Sequence, residues 1–339
     1  MGKTVRVGLN GFGRIGRSFT RIVSDRPDID VVAINTSKTR PEMLAYLLQY
    51  DSVYRTFGQI VTDTATSINV GDQSIVCFSY LDPHDIPWST QDVDVVLDCT
   101  GVFTSRTELA KHLTGSVTKV ILTAPTDDKT IPHIVLGVND SDFPFESASV
   151  ISNASCTTNC AAPMFKILHD NFTVVSGFLT TSHAYTSSQQ LLDNRGGDFT
   201  RSRAAALSII PSTTGAAGAV VRVLPSLEGL IDGVSMRVPT PVGSFTDISC
   251  IVGTPTTVDE VNEAFKRESE KNNMGSILGY ATAQLVSSDY IGDSHSCIFD
   301  SNYTAVMPHN LVKIFGCYDN EWGYSSRLAD LVERLQKYL

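Results

Sequence analysis

The sequence predicts a two-domain α/β protein: a doubly wound domain on a parallel sheet, then an α+β domain with a mostly antiparallel sheet. The length of 339 residues suggests two domains rather than one. In the first part of the chain, short apolar strands alternate with helical patterns, which is typical of a parallel sheet with crossover helices. Further on, strand-like stretches follow one another without this alternation, which favours antiparallel pairing.

Composition indicates a globular protein and argues against two classes of partner. Hydrophobic residues make up 42% of the chain and charged residues 18%, which is ordinary for a globular protein. The formal net charge of -10 disfavours nucleic-acid binding, and no apolar run is long enough to span a membrane. The seven cysteines lack the spacing of a disulfide framework, and a strand pattern begins too early to leave room for a secretory signal. We therefore expect a cytoplasmic protein.

The first domain opens with a strand, a glycine turn and a helix. Val5–Asn10 reads as the strand, and Gly-Phe-Gly-Arg-Ile-Gly occupies residues 11–16. Apolar residues at helical spacing come next, and a second strand follows at 31–35. This order, completed within about 30 residues, is the setting that a dinucleotide-binding fingerprint requires. The simpler alternative is a glycine-rich turn in an α/β fold that binds no nucleotide.

Each glycine of the turn has a separate expected role. Gly11 and Gly13 allow the backbone to approach a pyrophosphate, and Gly16 allows the helix to pack closely on the strand. The N-terminus of the helix would then face the negative charge of the phosphates. The turn therefore predicts a Rossmann-type dinucleotide-binding domain.

More material for a parallel sheet follows the second strand. Buried strands are expected at 93–101, 119–125 and 133–139, with a helix at 108–113 between the first two. This continued alternation predicts that the dinucleotide-binding domain covers residues 1–155.

A candidate nucleophile lies at the boundary between the domains. Residues 152–160 read Ser-Asn-Ala-Ser-Cys-Thr-Thr-Asn-Cys, and a helical pattern begins at Cys156. The first N–H groups of a helix carry partial positive charge, so we expect them to favour the thiolate of Cys156. His183 follows in Thr-Thr-Ser-His-Ala-Tyr and is the expected base. Taken alone, such a cysteine would more often be buried and inert, and such a histidine structural.

The remainder of the chain has the pattern of an α+β domain. The polar stretch 193–203 has no apolar period and is expected to form a functional or mobile loop. Strands are predicted at 234–238, 246–252 and 311–318, and helices at 258–271 and from Tyr324 onward. We expect a catalytic domain over 156–319 and a C-terminal helix over 320–339 that returns to the first domain.

The second cysteine of the motif invites a metal-site hypothesis. Cys160 lies one helical turn beyond Cys156, but no second cluster of cysteines or histidines completes a metal site in the sequence. Cys160 is expected to be a small core residue. The other cysteines fall in strand-like apolar runs and are also expected in the core: Cys77, Cys99, Cys250, Cys297 and Cys317.

Five motifs, taken together and in this order, resemble phosphorylating glyceraldehyde-3-phosphate dehydrogenases. They lie at residues 10–17, 152–160, 212–217, 237–240 and 318–324. The resemblance covers essentially the whole chain, and the cysteine motif is its most specific part. It implies a homotetramer in which the loop at 193–203 reaches the cofactor of a neighbouring subunit.

The resemblance also implies a role for individual residues. Cys156 would be the catalytic nucleophile and His183 its base. The implied cofactor-binding residues are Gly11, Gly13, Arg14, Ile15, Gly16, Thr100, Gly101, Thr123 and Asn320. One phosphate pocket would comprise Ser155, Thr157, Thr214 and Gly215 with help from Arg201, and the other Thr186 and Arg237.

The implied reaction converts D-glyceraldehyde 3-phosphate reversibly to 1,3-bisphosphoglycerate. The thiolate of Cys156 would add to the aldehyde, His183 would take the hydroxyl proton as hydride leaves for the nicotinamide, and inorganic phosphate would attack the resulting thioester. The backbone N–H of Cys156 is the expected oxyanion donor. The partners are therefore a small-molecule substrate and inorganic phosphate.

The sequence departs from the NAD-specific pattern at the end of the second strand. The fingerprint expects an acidic residue that bonds the ribose 2′-hydroxyl, but Thr36 stands there. A threonine can donate to a 2′-phosphate that a carboxylate would repel, and Lys38 and Arg40 add positive charge nearby. Arg195, from a neighbouring subunit, could also grip this phosphate. We expect NADP to be preferred and NAD to be accepted; drift at a tolerant site is the alternative.

Two further departures and two rival functions remain open. Ser188 replaces a common Asp of the family and Gly218 replaces a common Lys, and both departures concern the second phosphate pocket. The nearest rival is an erythrose-4-phosphate dehydrogenase, although the intact stretch 213–217 and Thr186 favour the triose substrate. A binding protein that has lost catalysis would have lost Cys156 or His183, and both are present.

Overall fold

A computed structural model describes residues 3–339, which form two compact units. The first unit comprises residues 3–134, 142–154 and 325–339, and the second comprises 135–141 and 155–324. Within the described residues no helix is both long and apolar enough to cross a membrane.

The first unit contains ten strands and three complete helices, and it also contains most of the C-terminal helix. The strands are β1 (Val5–Asn10), β2 (Ile29–Asn35), β3 (Tyr50–Asp51), β4 (Arg55–Thr56), β5 (Val61–Asp63), β6 (Ser67–Val70), β7 (Gln73–Phe78), β8 (Val95–Asp98), β9 (Lys119–Leu122) and β10 (Val150–Ser152). The helices are α1 (Arg14–Val23), α2 (Pro41–Gln49) and α3 (Arg106–Leu109).

The main sheet of the first unit is largely parallel. Its strand order is β10-β9-β8-β1-β2-β7-β6-β5, with parallel pairing from β10 through β7 and antiparallel pairing at the β7-β6-β5 edge. The chain reverses its direction of winding between β2 and β8, which flank the central β1. The carboxyl ends of these three strands therefore form one edge, the usual place for a ligand in such a sheet.

The predicted strand at 133–139 is wrong. Within this stretch only His133 makes a bridge, to Ser152, and the strand that pairs with β9 is β10. The backbone turns away because the side chain of Asn139 accepts from the N–H of Val135 at 2.9 Å and Gly137 has a φ of +79°. Side-chain competition for backbone N–H groups thus overrides an apolar pattern that is typical of a buried strand.

The second unit is built on a mixed, mostly antiparallel sheet. Its strands are β11 (Val174–Ala184), β12 (Ile210–Thr213), β13 (Ile231–Val238), β14 (Ser244–Val252), β15 (Leu278–Ala281), β16 (Cys297–Asp300), β17 (Ala305–Met307) and β18 (Leu311–Tyr318). The order is β12-β13-β11-β14-β18-β16-β15, with β17 on β18; only the β11-β13 and β15-β16 pairs are parallel. The predicted fold class is confirmed for both units.

The remaining helices are α4 (Cys156–Phe172), α5 (Ala216–Val223), α6 (Val258–Ser269) and α7 (Trp322–Leu335). Helix α6 ends before the predicted Lys271, and α7 begins before the predicted Tyr324. The early start of α7 has a clear cause, because the buried carboxylate of Asp319 accepts from the N–H groups of Glu321 and Trp322 at 2.9 and 2.8 Å.

Candidate active site

The N-terminus of α4 presents Cys156 as the first residue of the helix. Ser155 is the N-cap, and its hydroxyl accepts from the N–H of Thr158 at 3.0 Å. Ala154 has a left-handed φ of +53° and is fully buried. This conformation is unusual for a residue other than glycine, and it turns the chain sharply from β10 into the helix.

Strand β11 brings the imidazole of His183 to the thiol of Cys156. The distance from Cys156 Sγ to His183 Nε2 is 3.3 Å, within hydrogen-bonding range for sulfur. The other ring nitrogen, Nδ1, lies 2.7 Å from the carbonyl oxygen of Ala184 and 2.7 Å from Nη1 of Arg237. Parallel pairing of β11 with β13 sets His183 directly opposite Arg237.

The two partners of Nδ1 favour different tautomers of His183. A hydrogen on Nδ1 satisfies the carbonyl of Ala184 and leaves the lone pair on Nε2 facing Cys156, which suits a base. Arg237 can only donate, but its Nη1 also donates to the Ala184 carbonyl at 3.1 Å. Arg237 therefore has an acceptor that does not compete for the imidazole lone pair. We assign the Nδ1–H tautomer on this hydrogen-bonding pattern.

Burial dominates the electrostatics of the pair. It raises the pKa of the Cys156 thiol to about 11, although Arg237 and the hydrogen bonds from Thr157 act in the opposite direction. Burial, followed by the positive charge of Arg237, lowers the pKa of His183 to about 4. Burial is thus the largest influence on both groups, and the neutral thiol and imidazole are favoured together. A proton must move between them as the sulfur reacts.

Tyr318 is a site residue that the sequence reasoning missed. It lies at the end of β18, is 1% exposed, and its hydroxyl is 3.0 Å from the hydroxyl of Thr157. Its ring packs edge-on to His183 at a centroid distance of 6.3 Å. Tyr318 opens the motif at 318–324, but nothing in the sequence indicates that its hydroxyl would bond a helix-start threonine.

The residues predicted for the first phosphate pocket are only partly free to bind an anion through their side chains. The hydroxyl of Ser155 caps α4, and that of Thr157 bonds Tyr318. The hydroxyl of Thr214 accepts from the N–H of Ala216 at 3.1 Å, whereas Gly215 has open space where a side chain would lie. The half-buried Arg201 donates to Ser212 at 2.9 Å.

The second predicted pocket contains Thr186 and Arg237. The hydroxyl of Thr186 lies 2.9 Å from that of Ser188, the residue that departs from the family pattern. Burial lowers the pKa of Arg237, and the charge of nearby Arg201 lowers it further. Two cations held in one field favour a bound anion between or beside them. At Gly218, where the resemblance predicts a lysine, a Cβ would meet no atom within 4 Å.

The first unit has a separate cavity of about 510 Å³ at the carboxyl ends of β1, β2 and β8. Gly11 and Gly13 line it, and Gly11 has a φ of +97° that favours glycine. A Cβ on Gly13 would meet no protein atom within 4 Å, so this space is open to a ligand. A Cβ on Gly16 would lie 2.7 Å from the carbonyl oxygen of Gly11, which fits its predicted packing role.

Thr36 lines the same cavity with an unused hydroxyl. Its Oγ1 is buried and has no hydrogen-bond partner, although its backbone N–H donates to Phe78. The residues that line the cavity include no aspartate or glutamate. Lys38 and Arg40 are exposed beside it, and Arg195 is exposed on the 193–203 loop of the second unit.

The other predicted cofactor residues are placed as follows. Thr100 lines the cavity, and Gly101 follows it with a φ of +67°. Arg14 and Ile15 begin α1, where Arg14 forms an ion pair with Asp51. The hydroxyl of Thr123 donates to the carbonyl of Asp98 at 2.9 Å. In the second unit, the side-chain oxygen of Asn320 accepts from the Gly243 N–H and the Ser244 hydroxyl, at 3.1 and 3.0 Å.

Among the described residues no cluster of histidine, cysteine and acidic side chains could hold a metal ion. Cys160 is fully buried and contacts the sulfur of Met164, in keeping with a core role. Cys77 and Cys99 are partly exposed rather than fully in the core, because each lies at or near the open end of its strand, and Cys99 lines the cavity.

Comparison with known proteins bears on both units. A family model for the NAD-binding domain of glyceraldehyde 3-phosphate dehydrogenase matches residues 5–106, and one for the C-terminal domain of the same enzyme matches residues 155–320. The second match begins at the N-cap of α4 and so includes Cys156 and His183.

Curated relatives match over nearly the full length. A glyceraldehyde-3-phosphate dehydrogenase of Streptomyces avermitilis is 50% identical over 97% of both chains. One from Thermotoga maritima is 49% identical over 98% of this chain and 99% of its own. A cytosolic glyceraldehyde-3-phosphate dehydrogenase of Arabidopsis thaliana is 41% identical over 99% of both.

Proposed function

Because the chain belongs to the glyceraldehyde-3-phosphate dehydrogenase family, we propose that it converts D-glyceraldehyde 3-phosphate and inorganic phosphate reversibly to 1,3-bisphosphoglycerate. Its oxidoreductase class and its use of a nicotinamide cofactor follow from the family. The observation that carries the finer proposal is the 3.3 Å distance from Cys156 Sγ to His183 Nε2. With Nδ1 donating to a backbone carbonyl, this is the arrangement of a nucleophile and its base.

The proposed chemistry uses His183 as a proton carrier. His183 takes the thiol proton as sulfur adds to the aldehyde carbon, and returns it to the oxyanion, which gives a thiohemiacetal. It then accepts the hydroxyl proton as hydride leaves the carbon, which gives a thioester on Cys156. A bound nicotinamide supplies the hydride acceptor. Inorganic phosphate attacks the thioester, the acyl phosphate departs, and Cys156 leaves as a thiolate that His183 reprotonates.

The N-terminus of α4 also has a proposed role in this chemistry. The backbone N–H of Cys156 is at the start of a helix of 17 residues and can donate to the oxyanion. Arg201 and Arg237 supply the charge that binds the substrate phosphate and the inorganic phosphate. Thr186, Thr214, Gly215 and the helix-start residues Ser155 and Thr157 complete these two anion sites through hydroxyl or backbone groups.

The division of labour between the domains is part of the proposal. Residues 1–155 would bind the dinucleotide and residues 156–319 would carry the chemistry, with 320–339 returning to the first domain. The cofactor cavity is supported by the glycine-lined space at Gly13 and by the unpartnered hydroxyl of Thr36. Asn320 would hold the nicotinamide carboxamide through the amide nitrogen that its fixed oxygen orients.

NADP is the proposed preferred cofactor, with NAD also accepted. Thr36 offers a donor to a 2′-phosphate, and no carboxylate lines the cavity to repel it. Arg195 of a neighbouring subunit would add positive charge.

The cofactor proposal is tested by kcat/KM with NADP and with NAD. We expect NADP to be favoured, and Thr36→Asp to lower the NADP/NAD ratio by tenfold or more, since a carboxylate near a 2′-phosphate costs at least about 1.4 kcal/mol. The matched control is Thr62→Asp, which adds the same charge at an exposed position of β5. A wild-type preference for NAD would contradict the proposal.

The reaction is tested with substrates and with a trapped intermediate. Activity should require inorganic phosphate or arsenate, and a brief reaction without them should leave an acyl group on Cys156 that mass spectrometry detects. A higher kcat/KM with erythrose 4-phosphate would favour the rival dehydrogenase. Full activity after alkylation of Cys156 would contradict the mechanism and favour a role without this thiol.

Exposed apolar residues support the proposed assembly, and a relative that is named cytosolic supports the proposed location. Five apolar residues between 191 and 209 are mostly exposed, namely Leu191, Leu192, Phe199, Leu207 and Ile209. A patch of this kind marks an association surface, and we propose a cytoplasmic homotetramer. Light scattering measures the assembly: the wild type should be tetrameric and Phe199→Glu should shift it toward smaller species. A monomeric wild type would contradict this assembly.

A further inference from the structure

A layer of buried polar side chains forms part of the cavity wall in the first unit, through Asn10 and Asn35, and continues beneath it to Asp98. Asn10, Asn35 and Asp98 end the three strands β1, β2 and β8, whose loops line the cavity. His112 and Trp88 pack against this layer. Trp88, Asp98 and His112 are 0% exposed, and the two asparagines 3%. Burying a polar group costs free energy unless it is fully hydrogen-bonded, so each of these side chains is expected to have partners.

The backbone of Tyr80 fixes the direction of the hydrogen bonds at one end. Its N–H donates to Asn35 Oδ1 at 2.9 Å, and its carbonyl accepts from Asn35 Nδ2 at 3.1 Å. The same Nδ2 donates to Asn10 Oδ1 at 2.8 Å. Asn10 must therefore turn its own Nδ2 the other way, where it donates to Asp98 Oδ2 at 2.8 Å.

The indole of Trp88 fixes the direction at the other end. Its Nε1–H can only donate, and it does so to His112 Nδ1 at 3.1 Å. Nδ1 therefore carries the lone pair, and the ring hydrogen is on Nε2. Nε2 lies 3.3 Å from Asp98 Oδ2, to which it donates.

Both chains of donors converge on Asp98, and the next loop adds two more. Asn10 Nδ2 and His112 Nε2 point at Oδ2, while the N–H and the hydroxyl of Thr100 donate to Oδ1 at 3.1 and 2.6 Å. Only an ionised carboxylate, which has no hydrogen of its own, satisfies four donors at once. The Tyr80 backbone and the Trp88 indole, which fix the hydrogen-bond directions at the two ends of the layer, therefore require a carboxylate at position 98.

We propose that Asp98 is a positioning residue for the dinucleotide: it holds the glycine loop and the 99–103 loop in register without touching the ligand. Asn10 directly precedes Gly11, whose N–H in turn donates to the Asn35 carbonyl at 2.8 Å. Thr100 lines the cavity, whereas Asp98 is beneath it. This inference rests on the proposed cofactor site in that cavity.

Asp98→Asn tests the inference because it changes one group and almost no volume. In the variant, an amide nitrogen at the Oδ2 position would face the N–H donors of Asn10 and His112. In the reversed orientation the amide nitrogen would face the N–H of Thr100, so a donor meets a donor either way. We expect the Kd for the dinucleotide, measured by calorimetry on the full chain, to rise tenfold or more. Because Asp98 does not touch the reacting atoms, kcat at saturating cofactor should stay within about twofold of wild type.

Asp94→Asn is the matched control, since it involves the same two strands at their opposite ends. Asp94 is 7% exposed, accepts from the N–H of Arg6 at 3.0 Å and pairs with Lys3. It should lose stability to urea without a change in Kd. An equal rise in Kd for Asp98→Asn and Asp94→Asn would mean that general destabilisation causes the effect, and would overturn the proposal.

Two measurements keep the test decisive if Asp98→Asn does not fold. In the wild type, 15N shifts of His112 should identify Nε2 as the protonated nitrogen; a lone pair there would overturn the proposal. Trp88→Phe removes the donor that sets this tautomer at a residue outside the cavity lining, and should raise the Kd several-fold. An unchanged Kd in Trp88→Phe would also count against it.

Gly13→Ala separates this inference from the proposed cofactor site. A Cβ has space there in the protein alone but would enter the volume assigned to the pyrophosphate, so the Kd should rise strongly. No effect of Gly13→Ala would reject the site itself. A strong effect of Gly13→Ala with a wild-type Kd in folded Asp98→Asn would reject only the positioning role.

Discussion

Removing the positive charge of Arg237 should shift both apparent pKa values of the Cys156–His183 pair upward. Each loss of a proton makes the pair more negative by one charge, whichever atom held the proton. A neighbouring cation favours every such step. Arg237 accordingly opposes the rise that burial causes in the pKa of Cys156 and adds to the fall that burial causes in the pKa of His183. Arg237→Gln keeps a donor at the site but abolishes the charge, so the sign of the shift does not depend on the tautomer of His183.

The size of the shift follows from the geometry. Arg237 Nη1 is 2.7 Å from His183 Nδ1, and His183 Nε2 is 3.3 Å from Cys156 Sγ. The guanidinium therefore lies within about 8 Å of the sulfur, where a unit charge contributes about 2 kcal/mol at an effective dielectric constant of about 20, or about 1.5 pKa units. The shift for the imidazole, which is closer, should be at least as large.

The assay is the pH dependence of the alkylation rate of Cys156 by iodoacetamide, read from the peptide by mass spectrometry. The reagent is neutral and needs no phosphate, so the proposed anion-binding role of Arg237 does not enter. Arg203→Gln is the control, because Arg203 is exposed and pairs with Asp193 at 2.8 Å. A folded Arg237→Gln whose profile coincides with that of wild type, or moves to lower pH, would refute the electrostatic reasoning.

Three predictions concern stability. The pKa of His183 is lowered to about 4 in the folded protein, so acidification favours the unfolded chain. The free energy of unfolding should be highest above pH 6.5 and about 2 kcal/mol lower at pH 5. Urea unfolding at two pH values should show this decrease in wild type and no such decrease in His183→Asn. Gly16→Ala places a Cβ 2.7 Å from the Gly11 carbonyl and should cost about 1–3 kcal/mol, whereas Gly58→Ala, with open space, should stay within about 0.5 kcal/mol. The ammonium of Lys119 donates to three backbone carbonyls, so Lys119→Met should cost about 3 kcal/mol in the same assay, and an unchanged midpoint would contradict that role.

The sequence predicts the fold best where periodicity and neighbouring chemistry agree. The pattern at 311–318 predicts a strand, and β18 spans Leu311–Tyr318. The apolar run at 133–139 has the same kind of pattern, yet Asn139 and Gly137 bend it into turns. The apolar pattern indicates which segments can be buried. A side chain that hydrogen-bonds the nearby backbone can still convert such a segment from a strand into turns.

The pairing of Cys156 with His183 was predictable from the sequence, but the electrostatic state of the pair was not. The helix start and the motif around Cys156 indicate a nucleophile, and the structure brings His183 to it. The sequence suggested a thiolate because it reveals the helix field and not the surrounding atoms. Burial is a property of the whole fold, and here it raises the pKa of the thiol to about 11. Asp98 escaped notice for the same reason, since its four donors come from three residues, Asn10, Thr100 and His112, on different segments.

In both units the candidate site lies where parallel strands end, but the residues are held there in different ways. In the first unit, the ends of β1, β2 and β8 are joined by side chains that share one acceptor, so each loop is held by its neighbours. In the second, parallel pairing of β11 and β13 alone sets His183 opposite Arg237, 54 residues apart. A shift of one residue in that register would turn one of these side chains to the opposite face and break the pair. The strand register of the second unit is therefore as much a part of the proposed chemistry as the nucleophile.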